Sequence, residues 1–154
     1  MRKTDREIKT ISEIEEVLFQ ARVCRLGILD GNTPYIVPLS FGYRDRALYF
    51  HSSSVGKKIS LIRINGDVSF EFDIDCEVIS ADEPCGWTMS YRSVIGRGRA
   101  SLLEDREAKI DALNVIMKHY CGKEFSYPGH KVDNTAIIRV DISEMTGKKN
   151  IGKV

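Results

Sequence analysis

Eight consecutive residues combine groups that bind anions: His51-Ser52-Ser53-Ser54-Val55-Gly56-Lys57-Lys58. They lie between a predicted strand and a predicted helix, where free backbone N–H groups and the positive end of the helix dipole attract negative charge. Serine hydroxyls add donors, Gly56 lets a ligand approach the backbone, and two lysines add charge. We predict a phosphate site; the alternative is a solvated polar loop before an ordinary helix start. It is not a Walker motif, because His51 replaces the first glycine and Lys58 stands where Ser or Thr should follow the lysine.

A second segment interleaves aromatic, hydroxyl and guanidinium groups on a predicted strand: Trp87-Thr88-Met89-Ser90-Tyr91-Arg92-Ser93-Val94. Arg92 could clamp a phosphate with its fork of donors, and Tyr91 or Trp87 could stack on a flat ring. The alternative is structural. Trp87 and Tyr91 would then fill the core or an oligomer interface, and Arg92 would pair with an acid from segment 75–83.

The histidines and glycines limit the chemistry available to the chain itself. His51 is the candidate proton donor, whereas His119 and His130 lack polar company and are predicted to be surface residues. Gly96-x-Gly98 is not a dinucleotide motif, because Ser101 occupies the third glycine position and no helix begins there. No nucleophile motif or metal-ligand cluster is present, so we predict no metal site, and in an enzyme a cofactor would perform the difficult step.

The composition describes an ordinary globular chain. The 154 residues are 42% hydrophobic and 29% charged, and the formal net charge is +1. These values predict a single domain, residues 1–154, and argue against disorder, a coiled coil and a typical nucleic-acid binder. We find no apolar run of membrane length and no signal peptide, so we expect a cytoplasmic protein whose four scattered cysteines are free thiols.

The first half of the chain predicts a helix followed by short strands. Ser12 and Glu15 have capping-box spacing before a helix over 13–21. Strands follow at 23–29, 35–41 and 47–51, and their short turns predict an antiparallel meander. Pro38 has no N–H, so it should face an edge, a bulge or a ligand. A short helix over 57–62 ends near Asn65-Gly66.

The second half predicts long β-structure around one more helix. Residues 67–72 alternate as a half-buried strand, 75–86 read as a loop, and 87–103 form a long β-run. Glu104-Asp105 begin a helix that Gly122 ends, and a final strand spans 135–142. The fold class is therefore α+β: about six mostly antiparallel strands in a barrel-like arrangement with short flanking helices.

Four stretches, in this order and over nearly the whole chain, resemble the FMN-binding split-barrel proteins related to pyridoxamine 5′-phosphate oxidase, in particular the nitroimidazole-resistance (Nim-type) branch. They are residues 34–43, residues 48–52 with 56–59, residues 91–100, and residues 144–148. The resemblance implies a six-stranded split barrel and a homodimer with two FMN sites across its interface.

The resemblance also implies roles for particular residues. The isoalloxazine edge would be lined by the backbone and small side chains of Val37, Pro38, Leu39 and Ser40. A ligand at this position would account for Pro38 within a strand. Phosphate contacts would come from Ser52, Ser54, Gly56, Lys57 and Lys58, with His51 near the flavin or its substrate. The partner subunit would supply Tyr91, Arg92, Ser93 and Val94, and Thr146-Gly147-Lys148 would close over the site. The chain departs from true pyridoxamine phosphate oxidases because it lacks their C-terminal Trp and Arg pattern, which argues against vitamin B6 oxidation.

The leading hypothesis is a homodimeric FMN-dependent oxidoreductase that reduces nitroaromatic or quinone-like acceptors. Three alternatives stay open: a flavin carrier, sensor or storage protein without turnover, a relative that binds haem or a deazaflavin, and a structural dimer without a cofactor. Haem would need an axial ligand, and the three histidines are the candidates.

Overall fold

The computed structural model describes residues 4–151, which form one antiparallel sheet with four α-helices. The strands, in chain order, are β1 (Glu7–Ile8), β2 (Cys24–Asp30), β3 (Thr33–Leu39), β4 (Gly42–Arg44), β5 (Ala47–Ser53), β6 (Asp67–Ile79), β7 (Thr88–Leu103) and β8 (Thr135–Asn150). The helices are α1 (Ile11–Gln20), α2 (Lys57–Ile64), α3 (Arg106–Cys121) and α4 (Gly129–Asp133), with 3₁₀ turns at Thr4–Arg6 and Pro84–Gly86.

The sheet curls around the main core. Its strand order is β3-β2-β6-β7-β8-β5-β4, and β1 pairs with β8. Side chains of β2, β5, β6, β7 and β8 fill this core, together with side chains of helices α1 and α2. Strand β3, at one edge of the sheet, packs against it. A second, smaller core lies between α3 and the other face of β5. The predicted fold class, a mostly antiparallel α+β split barrel with short flanking helices, is confirmed; the strand count is eight because β1 and β4 are separate short strands.

The predicted three-strand meander is wrong. Within residues 4–151, strand β3 pairs with β2 alone, whereas β5 pairs with β4 and with the distant β8, as in Leu48 opposite Val140. The tight turn at Asp45 and Arg46, both at positive φ, joins β4 to β5. Strand β3 is thus an edge strand, which agrees with the expectation for Pro38.

Three predicted boundaries also change. Helix α1 begins two residues earlier than expected, because Thr10 rather than Ser12 caps it: the Thr10 hydroxyl accepts from the Glu13 N–H at 3.3 Å and donates to its carboxylate at 2.9 Å. Residues 75–79 continue β6 beyond an irregularity after Ile74 instead of forming a loop. Strand β8 runs past Ile142 to Asn150, paired with β7 along its length.

The helix ends of α3 follow the predicted signals. Asp105 caps the start by accepting from the Ala108 N–H at 2.8 Å, and Gly122 ends the helix in the left-handed conformation at φ 69°. No helix in residues 4–151 is long and apolar enough to cross a membrane.

Candidate functional site

The predicted phosphate junction lies where β5 ends and α2 begins. Gly56 is the N-cap residue of α2 and has a φ of 128°, a backbone conformation that favours glycine. A Cβ added at Gly56 would meet nothing within 4 Å, so the space beside this backbone is open. Among residues 4–151 no side chain caps this helix start, so its first N–H groups have no side-chain acceptor there. The junction therefore has the local features of an anion site.

The two lysines of the junction have different surroundings. The Lys57 ammonium is 2.6 Å from the Asp30 carboxylate and 4.8 Å from the centre of the Tyr35 ring, and the hydrogen bond to Asp30 raises its pKa. Lys58 is half-buried and forms no ion pair with any residue between 4 and 151, and burial lowers its pKa. Lys58 is therefore the junction's uncompensated positive charge.

Strand β3 lies next to this junction through the contact of Tyr35 with Lys57. Its side chains alternate: Val37 and Leu39 are half-buried and pack against the core, whereas Pro38 is exposed, as is Ser40 just after the strand. The four residues predicted to line a flat ring thus present two side chains outward.

His51 and Ser52 project to opposite faces of β5. Ser52 has the parity of Leu48 and Phe50, which lie in the main core, whereas His51 has the parity of Tyr49, which lies against α3. His51 is exposed and Ser52 is half-buried. Ser53 and Ser54 are exposed too, and the Ser53 hydroxyl accepts from the Val55 N–H at 3.4 Å.

Arg92 is held by three side chains. Its guanidinium donates to Asp75 at 2.6 Å, to Glu16 at 3.3 Å and to Gln20 at 2.8 Å. The hydrogen bond to Asp75 raises the pKa of Arg92. Arg92 therefore pairs with an acid of segment 75–83, as the structural alternative for this residue predicts. Tyr91 and Arg92 line a cavity of about 360 Å³ between α1 and the ends of β7 and β8.

The other residues of the second segment separate by face. Val94 is fully buried in the core. Ser93 lies on the outer face of the sheet, where it lines a cavity of about 320 Å³ with Thr146 and Lys148. Ser93 pairs with Lys148 in the β7–β8 register, so both belong to regular strands rather than to a closing segment. Trp87 is 56% exposed and donates to the Ala81 carbonyl at 2.8 Å, so the expectation that it fills this chain's core is wrong.

On one chain, most of the predicted site residues therefore occupy three places: the junction beside β3, the cavity at Arg92, and the outer cavity at Ser93. Val94 lies in the core instead, and His51 lies on the α3 face of β5. The sequence analysis missed Asp30 and Tyr35 at the first place and Glu16 and Gln20 at the second. All four act through contacts between elements, and no local motif marks them.

His119 is not the surface residue that was expected. It is half-buried, its ring centre is 4.4 Å from that of Phe41, and its Nε2–H donates to the Ala21 carbonyl at 2.7 Å. Burial lowers the pKa of His119. His130 is exposed, as expected. Within residues 4–151, no group of three or more His, Cys, Asp or Glu side chains could hold a metal ion, and all four cysteines are unpaired.

The chain matches one known protein family over most of its length. The family model described as pyridoxamine 5′-phosphate oxidase matches residues 10–149, and the chain belongs to that family.

Among solved structures, a candidate 5-nitroimidazole antibiotic resistance protein from Bacteroides thetaiotaomicron is 35% identical, with 93% of this chain and 86% of that chain covered and a TM-score of 0.84. An FAD-binding protein from Mesorhizobium loti is 27% identical over 92% of this chain and 96% of that one, with a TM-score of 0.67. A flavocytochrome from Azotobacter vinelandii has the same fold, with a TM-score of 0.86 at 18% identity over 99% of this chain and 72% of that one. Among curated proteins, none matches this chain.

Proposed function

We propose that this chain binds FMN as a homodimer and works as a flavin-dependent oxidoreductase on nitroaromatic or quinone-like acceptors. Family membership and the likeness to the Bacteroides protein support the class. The observation that carries the proposal is the half-buried Lys58 ammonium, which has no carboxylate partner in residues 4–151, beside the uncapped start of α2 and the open space at Gly56.

These residues fit the phosphate end of FMN. Lys58 supplies charge, the first N–H groups of α2 supply donors, and the Ser52 and Ser54 hydroxyls extend the donor set. The exposed outer side of β3 at Pro38 and Ser40 offers backbone and small side chains to the isoalloxazine ring. Tyr91 of one cavity, and Ser93, Thr146 and Lys148 of the other, would approach the flavin from the partner subunit, whereas the Arg92 guanidinium is engaged by Asp75, Glu16 and Gln20 of its own chain.

When bound, the flavin supplies hydride or electron transfer, which no side chain of the chain can perform. The chain's own part is anchoring, orientation and proton supply. Lys58 holds the phosphate, β3 positions the ring, and the exposed His51 imidazole is the proton donor to the acceptor.

Comparing FMN with riboflavin tests the phosphate assignment, because the two ligands differ only in the phosphate. We expect Lys58→Gln to weaken FMN binding by about tenfold or more and to leave riboflavin binding unchanged, since a hydrogen bond to a charged group contributes about 1.5–3 kcal/mol. Lys109→Gln is the matched control: this lysine of α3 is also half-buried and has no ion pair in residues 4–151. Flavin fluorescence titrations measure both affinities. Equal weakening of FMN and riboflavin, or none, would contradict the phosphate assignment.

The homodimer is tested separately. Sedimentation equilibrium should give twice the chain mass of 17.4 kDa. A monomer that still binds FMN would refute the proposed contribution of the partner subunit.

A flavin carrier without turnover is the second candidate. One observation favours it. Ser52 is one of the proposed phosphate donors, and His51, the candidate proton donor, lies on the opposite face of β5. The two candidates differ in the rate of electron transfer from the reduced bound flavin to an acceptor. An enzyme passes electrons from reduced bound flavin to a nitroaromatic or quinone acceptor faster than free reduced FMN does, and His51→Gln slows that step. A carrier shows neither effect.

A further inference from the structure

Asp30 lies at the end of β2, in the turn to β3, and reaches the first residue of α2. Its Oδ2 is 2.6 Å from the Lys57 Nζ, and the Lys57 ammonium also lies 4.8 Å from the centre of the Tyr35 ring. Both contacts draw the ammonium towards the β2–β3 hairpin. The Lys57 side chain therefore has two favourable partners on the β3 side of the junction.

This arrangement makes the two adjacent lysines unequal. Lys57 and Asp30 form a pair with no net charge, and they remain about half exposed, with 55% and 42% of their side chains accessible. Lys58 has no such partner among residues 4–151. The junction therefore presents one positive charge to an anion instead of the two that its sequence suggests.

We propose that Asp30 is a specificity-determining residue that weakens the preference of this site for a phosphate-bearing flavin over an uncharged one, because its carboxylate neutralises Lys57. This inference rests on the proposed function, since it assumes that the flavin phosphate lies at the junction. Asp30 makes no contact with the phosphate. It acts by adding a negative charge near the phosphate position and by engaging an ammonium donor.

The opposite role for Asp30 predicts a different result. If Lys57 were a direct phosphate ligand that Asp30 merely orients, removal of the carboxylate would weaken phosphate binding. If Asp30 neutralises Lys57, removal of the carboxylate strengthens it. The sign of the effect therefore separates the two roles.

The test is a double-mutant cycle that removes the two charges, with Asp30→Asn, Lys57→Gln and the double variant, in which the affinities for FMN and riboflavin are measured for each protein. Asp30→Asn should tighten FMN binding by about fivefold, the effect of one unit charge at a distance of several ångströms in a partly screened environment. Lys57→Gln should weaken FMN binding by a similar factor, because it leaves the Asp30 carboxylate uncompensated. The double variant, again without net charge, should return close to the parent. Riboflavin affinity should stay constant throughout, and 0.5 M salt should shrink all the shifts.

The controls keep every result informative. Asp30→Ser serves as a second neutral variant should Asp30→Asn fold poorly, which thermal melting reports. The inference would be overturned if Asp30→Asn weakened FMN binding. It would also be overturned if Asp30→Asn left the ratio of FMN to riboflavin affinity unchanged. If that ratio falls in Lys58→Gln but does not rise in Asp30→Asn or Asp30→Ser, only the inference fails. If Lys58→Gln leaves the ratio unchanged, the phosphate site of the proposed function fails with it.

Discussion

Replacing Arg92 by alanine should lower the stability of the protein by about 2 kcal/mol. The guanidinium joins three elements, since it contacts Asp75 on β6 as well as Glu16 and Gln20 on α1. Each partly exposed ion pair contributes about 0.2–1 kcal/mol and the hydrogen bond to the Gln20 side-chain oxygen about 1 kcal/mol. Only 25% of the Arg92 side chain is exposed, so we place the two ion pairs in the upper part of that range.

The assay is thermal and urea unfolding, followed by circular dichroism. For a chain of this length, about 2 kcal/mol corresponds to a fall in Tm of about 4–8 °C. Arg97→Ala is the matched control: Arg97 lies on the same strand, its side chain is 74% exposed, and it makes one ion pair, to Glu144 at 3.3 Å. This control should change the stability by less than about 0.5 kcal/mol.

Flavin affinity measured on the same variants separates the two roles of Arg92. If Arg92 mainly ties α1 to the sheet, Arg92→Ala melts earlier and binds FMN with an affinity close to that of the parent. An unchanged Tm together with a large loss of FMN affinity would refute this reasoning and restore Arg92 as a direct flavin ligand.

Two further predictions concern the fold. Gly42→Ala should lower the free energy of unfolding by about 3 kcal/mol. The added Cβ would come within 2.7–2.8 Å of backbone atoms of Val115 and Ile116 in α3, which cannot move aside. Gly27→Ala is the control in urea unfolding, because its Cβ would meet the Ser69 carbonyl oxygen at an ordinary 3.5 Å. Stability should also fall as the pH drops below about 6.5, since burial lowers the pKa of His119 in the folded state and the unfolded chain then binds more protons. Urea midpoints at pH 7.5 and 5.5 measure this, and a drop of the same size in His119→Gln would show that another group is responsible.

Local signals in the sequence predicted the elements better than their partners. The strand-to-helix junction at Gly56 and the two ends of α3 lie as expected, because turn and capping signals act over a few residues. The meander failed because β5 finds its main partner in β8, about 90 residues further along the chain, and no local pattern encodes such a pairing. Two overlapping sequences, Thr10 with Glu13 and Ser12 with Glu15, both fit a helix start, and only the structure distinguishes them.

The strand ends were missed for a different reason. Residues 75–79 of β6 carry mostly exposed side chains, so the apolar alternation that reveals a strand is absent there. In the last part of β8, Gly147 occupies an inward position, and a Cβ there would come within 2.7 Å of Ile8. A glycine on the buried face beside polar residues on the other gives no strand signal, although β8 stays paired with β7.

The candidate site was predictable in its composition but not in its charge. The sequence shows that Lys57 and Lys58 are adjacent, and it cannot show that only Lys57 meets an acid, because Asp30 is 27 positions away in the chain. Similarly, strand alternation separates His51 from Ser52, but which face each occupies depends on where α3 packs.

The prolines of the edge strand have a consequence for how copies of this chain can associate. Pro34 and Pro38 have the same parity on β3, and neither can donate to β2, so the outward-facing amides of this strand come from positions 34, 36 and 38. Two of those three positions have no N–H, which leaves Ile36 as the one amide there that another strand could use. A second chain therefore finds no continuous row of donors along this edge, which disfavours a merger of two sheets through β3.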